Sequence, residues 1–245
     1  SGMGELHVEV ITDRLQRAVK VDVETGKPQV AYRETVISSI EHDYRHVKQT
    51  GGHGQFAHIK FLIEPGETGS GLEFEDRVKG GRIPKEYIPA IERGIVDAMG
   101  EGPYAGFPMV DVKVVLLDGT SHEVDSSDQA FRTCATAGFK EACRRAGLEL
   151  LEPVMSVEVV APEEYIGAVT GSLYSRRGKV SQMENRATAA VINALVPLAG
   201  MFGYSTELRT VTSGRGDFTM HFEHYRAVPY SLAEEIVEKR RETKK

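Results

Sequence analysis

Cysteine occurs only twice among the 245 residues, at Cys134 and Cys143 in one helical stretch. That pair builds no disulfide framework and fits a reducing compartment, the cytoplasm. No apolar run is long enough to cross a bilayer, so no membrane partner is expected. The opening SGMGELHVEV has neither the basic start nor the apolar stretch of a secretory leader. No G-x-x-x-x-G-K-[ST] occurs, which excludes a P-loop, and no G-x-S-x-G supplies a nucleophile elbow. Repeats of 20–50 residues and low-complexity tracts are missing as well. Nor is positive charge in excess: 30 Lys and Arg stand against 36 Asp and Glu, a net charge of −6. That excludes a generic basic coat for nucleic acid and leaves room for a local, backbone-rich RNA contact.

What is present is chain enough for about two domains. The 40% hydrophobic and 27% charged content is that of an ordinary soluble protein. Residues 1–30 read as a helix, with Val8, Ile11, Leu15 and Ala18 on one face, followed by a strand. This is too little to bury its own apolar side, so it reads as a remnant of a preceding domain.

Residues 31–149 form the next unit. AYRETVISSIEHDYRHVKQT reads as strand structure and GQFAHIKFLIEP as its return, a hairpin with Gly51–Gly54 at the tip. Ile88, Ile91, Ile95 and Met99 mark a helix that Gly100 ends. VDVKVVLLDG is a buried strand. A second helix follows, with Ser126 as N-cap, Gln129 completing a capping box and Gly147 at the stop. Its core stripe is Phe131, Cys134, Ala135, Gly138 and Ala142.

Residues 150–245 give strand, helix, two strands joined by a turn near Asn185, helix and strand. That order is the ferredoxin-like βαββαβ arrangement, with one sheet face left for docking. The second helix should carry Met201, Tyr204, Leu208 and Val211 inward, and a last amphipathic helix ends in a Lys/Arg cluster. The fold class is therefore α+β.

Several clusters invite chemistry. His42, His46, His53 and His58 crowd one span. But His42 and His46 lie roughly 13 Å apart along a strand, too far for one zinc with bonds near 2 Å, so no metal is expected there. SHEVDSSD sets Ser121, His122, Asp125, Ser126 and Ser127 close in sequence, which by itself builds no triad, and no catalytic residue is assigned. The same groups suit RNA. Lys48, Gly51, Gly52, His53, Gly54 and Gln55 offer open backbone N–H groups, a cation, an imidazole and an amide. His122, Asp125, Ser126 and Ser127 offer another imidazole, hydroxyls and a helix start, while Arg176, Arg177 and Arg215 stand beside glycines at helix ends.

At these residues the sequence resembles bacterial elongation factor G. The stretches SGMGELH, GKPQVAYRET, KQTGGHGQFAH, GGRIPKEYIPAIERGI, GPYAGFPMVDVKV, HEVDSSDQAF, LLEPVMSVEV, SRRGKV and MFGYSTELRTVTSGRGDFTMHFEHY carry the likeness, in order along the whole chain. The resemblance implies the end of domain III at 1–30, a ribosomal-protein-S5-like β-α-β domain IV at 31–149, and a ferredoxin-like domain V with its C-terminal helix at 150–245. It implies a ribosome-binding arm that promotes tRNA–mRNA translocation by occupying the A site of the small ribosomal subunit. Domain V would dock on large-subunit rRNA near the GTPase-associated region. GTP and magnesium would belong to a GTPase domain outside this sequence, leaving no cofactor and no enzymatic activity here.

The family often has Arg where this chain has His53, and Asp where it has Ser172. A titratable ring in place of a permanent cation implies tip contacts that strengthen below about pH 6.5. The alternatives are a paralogous arm for ribosome recycling or ribosome protection, or a small hydrolase or metal enzyme built on His122 or the His42–His58 cluster.

Overall fold

The computed structural model describes residues 29–50, 53–186 and 189–243. The expected helix and strand of residues 1–30 therefore lie almost entirely outside the described residues. Two compact units form: residues 32–151 with 227–243, and residues 152–226 with 29–31.

In the first unit β2 (Ile40–Thr50) and β3 (His53–Pro65) pair antiparallel from Ile40↔Ile63 to Thr50↔His53, the hairpin read from the sequence. The 31–50 run is not one strand. β1 (Arg33–Val36) separates from β2 and pairs with Leu148–Leu151, because the Ile37 N–H and the Ser38 hydroxyl donate to the carbonyls of Gly147 and Ala146. β5 (Val112–Thr120) joins β3 antiparallel and β4 (Leu72–Asp76) parallel, giving the order β2-β3-β5-β4. The parallel pair is joined through α1 (Ile88–Gly100), as a parallel connection requires.

α1 and α2 (Asp128–Ala146) pack on one face of this sheet, around Ile59, Phe61, Ile91, Ile95, Phe131 and Phe139. They approach backbone to backbone at Gly94, where a Cβ would stand 2.4 Å from the Arg132 carbonyl oxygen. Cys134 and Cys143 lie in this core, and burial pushes both thiols up to about 12. They are packing atoms, not thiolates.

The N-cap of α2 departs from the sequence reading. Ser127, not Ser126, accepts the Ala130 N–H, at 3.2 Å. The two serines are adjacent, and only the turn of the preceding loop decides which one faces the helix. Gly147 ends α2 with φ of 79°, as the sequence indicates.

His42 is buried on the helix-covered face of the sheet. Arg145 donates to its Nδ1 at 3.0 Å, and Glu141 lies 3.7 Å from Nε2. Burial lowers its pKa, the nearby Glu141 opposing and Arg145 adding to that shift. The unfolded chain then takes up the proton first on acidification, so the neutral ring's contribution is complete above about pH 6.5 and is lost as pH falls below it. Urea midpoints at pH 7.5 and 5.5 should drop further for the native chain than for His42→Phe; equal drops would refute this.

α6 (Tyr230–Thr243) falls in the first compact unit, whereas the sequence reading attached it to the ferredoxin-like one. Ala233, Leu232 and Ile236 form a small core with Phe107, Leu150 and Val228 of the first unit. The Arg240 guanidinium lies 4.2 Å from the Phe107 ring centre. An apolar stripe reveals that a helix docks but does not name its partner.

The second unit contains most of β6 (Leu148–Ala161), then α3 (Ile166–Ser175), β7 (Lys179–Arg186), β8 (Ala189–Pro197), α4 (Leu198–Met201), α5 (Tyr204–Val211) and β9 (Asp217–Ala227). β6 lies between β8 and β9 and β7 flanks β8, the ferredoxin-like order. Val157, Val159, Ile192, Ala194 and Val196 meet Val169, Leu173, Tyr204 and Leu208 beneath the helices. Gly203, with φ of 72°, breaks the expected single helix into α4 and α5. Along β9 Phe218 packs against Tyr204, while Met220 and Phe222 are exposed.

Candidate RNA-contact site

The hairpin tip and the 122–127 loop meet. Asp125 does most of the joining: its carboxylate accepts the Gly54 N–H at 3.1 Å and its carbonyl accepts the Phe56 N–H at 2.8 Å. A Cβ on Gly54 would stand 2.8 Å from that carboxylate, so glycine is what lets the loop close on the strand. The Ser126 hydroxyl donates to the Phe56 carbonyl and accepts the His122 N–H, both at 2.8 Å. The Nδ1 edge of His122 faces into its own loop, 3.3 Å from the amides of Val124 and Asp125 and 3.4 Å from the Asp125 carboxylate.

Around this joint Lys48, His122 and Ser127 are exposed, and Gly54, Gln55, Asp125 and Ser126 are half-buried. Gln55 pairs with Lys48 in register, and its amide oxygen lies 3.1 Å from His46. The backbone of His53 pairs with Thr50, while Gly51 and Gly52 lie outside the described residues. The surface combines backbone amides, hydroxyls, an amide side chain, an imidazole and a cation. That is a set for hydrogen bonding to phosphate, 2′-hydroxyl and base edges.

The hydrolase reading meets a specific obstacle. Ser126 directs its hydroxyl to a backbone carbonyl rather than to an imidazole, so no nucleophile–base pair forms there. The histidine span does not converge either: His42 lies under the helices, whereas His58 bonds Asp43 and Thr120 on the opposite face of the sheet, at 2.8 and 3.1 Å.

The three arginines of the second unit are not equivalent. Arg176 bonds Glu207 and the carbonyls of Gly200 and Phe202, and its guanidinium lies 5.2 Å from the Tyr204 ring centre. Arg177, with φ of 61°, grips the fully buried Glu152 in a two-pronged pair at 2.7 and 2.8 Å. Both are committed to holding the unit together. Arg215 is exposed, pairs with Glu164 at 2.5 Å and lies over the Tyr165 ring. Ser172 is buried and donates to the Val169 carbonyl at 3.1 Å.

Sequence reasoning missed Arg45 and Phe56, which lie on the hairpin beside the joint. The period-two pattern of the two strands was their only signal.

The two units together make an α+β protein of the class read from the sequence: an S5-like sheet with helices on one face, then a ferredoxin-like domain. Three family models match consecutive stretches: Elongation Factor G, domain III, over residues 1–27; Elongation factor G, domain IV, over 28–147; and Elongation factor G C-terminus, over 149–236. Elongation factor G of Ruegeria pomeroyi is 54% identical over 235 residues, covering 96% of this chain and 33% of that protein. Elongation factor G of Dinoroseobacter shibae is 55% identical over 238 residues, covering 97% and 34%. A crystal structure from Thermus thermophilus superposes with a TM-score of 0.90 at 42% identity, covering 98% of this chain and 36% of that one. The chain belongs to the elongation factor G family, and it spans about a third of the length of these curated relatives.

Proposed function

We propose that this chain is the ribosome-binding arm of a translation elongation factor, acting in the cytoplasm. The joined tip, residues 48–55 and 122–127, enters the A site of the small ribosomal subunit, takes the space of a tRNA anticodon arm and supports translocation of the tRNA–mRNA pair. The exposed Arg215 segment docks on large-subunit rRNA near the GTPase-associated region. Arg176 and Arg177 serve there by holding the segment's scaffold. The contribution is steric: a preformed polar tip occupies a cavity made of RNA, with no bond broken by this chain.

The observation that carries this reading is the Asp125 bridge to Gly54 and Phe56, which makes one surface of two loops far apart in sequence. In the full-length factor, Asp125→Ala should slow single-round translocation roughly tenfold, since a tip displaced by about 1 Å loses its positioning. Ribosome-stimulated GTP hydrolysis should stay near the native rate. Native translocation rates in both Asp125→Ala and a Gly54→Val variant would defeat the proposal.

A further inference from the structure

We propose that the outer sheet face beside the tip is a stacking shelf for one unstacked RNA nucleotide, its base against the Phe56–His122 pair and its phosphate at Arg45. The proposal rests on the reading above and adds a partner chemistry to it: a single-stranded nucleotide rather than a duplex backbone.

Phe56 is held at both backbone groups. Its N–H donates to the Asp125 carbonyl and its carbonyl accepts from Ser126, each at 2.8 Å. Its ring therefore keeps a fixed place on the strand. The His122 ring lies 6.1 Å away, centre to centre, at 55° to it. Because the Nδ1 edge of His122 is turned into its own loop, the Nε2 edge remains outward, with no hydrogen bond among the described residues. Arg45 brings its guanidinium carbon to 6.0 Å from the Phe56 ring centre. Two more groups keep the surface apolar: Val47, opposite Phe56 in the register and 62% exposed, and Val124, 74% exposed.

Charge on this face selects the ligand. Glu41 is paired with Lys60 at 2.5 Å and Asp43 with His58 at 2.8 Å. Arg45, the next outward residue of the strand, has no carboxylate within 4.0 Å among the described residues. A guanidinium with no carboxylate partner among the described residues, beside an aromatic ring and an imidazole, suits a base with its phosphate. An acidic peptide would call for cations without the flat apolar groups.

The test uses the whole 245-residue chain and a short single-stranded RNA with one 2-aminopurine. Binding should quench the fluorophore as its base stacks. Phe56→Leu should weaken binding about fivefold or more and abolish the quench, whereas Phe56→Trp should keep both. Arg45→Ala, at an exposed position, should weaken binding and lower the salt slope by about 1 while leaving the quench at saturation. Thermal unfolding checks that Phe56→Leu is folded, and Arg45→Ala keeps the test decisive if it is not. Unchanged binding in Phe56→Leu and Arg45→Ala, or equal binding of a duplex of the same sequence, overturns the shelf. So does equal competition by an acidic peptide, which would assign the face to a protein. If the native chain sediments with ribosomes yet neither binds nor quenches the oligonucleotide, the shelf fails and the ribosome reading stands. If it does neither, both fail.

Discussion

Replacing Glu34 with alanine is expected to destabilise the first unit by about 3–5 kcal/mol, a large part of the roughly 5–15 kcal/mol that holds a domain. Glu34 is fully buried on β1, and its carboxylate accepts three backbone N–H groups: Tyr104 at 2.9 Å, Ala105 at 2.7 Å and Phe107 at 2.9 Å. Nothing smaller reaches all three. Truncation leaves donors inside the protein without acceptors, each costing about 1–3 kcal/mol before relaxation. The damage spreads, because the 102–107 turn also supplies Phe107 to the core beneath α6. Glu34→Gln retains one acceptor oxygen and should lose only about half as much. Urea unfolding measures both, and amide exchange at Tyr104, Ala105 and Phe107 reports the local loss. A change below about 1 kcal/mol in Glu34→Ala would show that the turn stands without its carboxylate.

The second large effect belongs to Arg177. Its alanine variant should cost the ferredoxin-like unit about 3–5 kcal/mol, since Glu152 has no exposed surface and, among the described residues, would keep only the Arg226 cation, 3.9 Å away. Backbone strain enters with the opposite sign. Arg177 holds a φ of 61°, which costs a non-glycine residue about 1 kcal/mol. Arg177→Gly should therefore be less damaging than Arg177→Ala by about that amount. Pairing Arg177→Leu with Glu152→Leu should be milder than Arg177→Leu alone, because the stranded charge goes too. If the double change is as harmful as the sum of the singles, the ion pair is not the cause. The milder double variant would mean that the SRRG arginine organises the turn through Glu152.

That outcome shows where sequence legibility stops. The hairpin was readable because glycines interrupt two long strand patterns, and the helix ends because Gly100 and Gly147 stand where apolar periodicity stops. The ferredoxin-like order followed from the alternation of periods two and 3.6. Arg176 and Arg177 misled because their carboxylates, Glu207 and Glu152, lie 31 and 25 positions away. No local pattern announces such a partner. The joint at the tip was half legible. Glycines and a polar loop advertised themselves, but the residue that unites them, Asp125, is a carboxylate in a stretch rich in such groups. Arg45 and Phe56 had no signal beyond strand alternation, so the face beside the tip became visible only with the register in hand.

The Asp125 joint has a mechanical consequence. Asp125 lies three positions before the first residue of α2, and that helix is anchored in the core through Phe131 and Phe139. Load applied to the hairpin end is thus shared with a second, stiffer strut instead of bending two strands alone. The fingertip yields as one body, and a push from a neighbouring macromolecule is delivered straight into the packed interior.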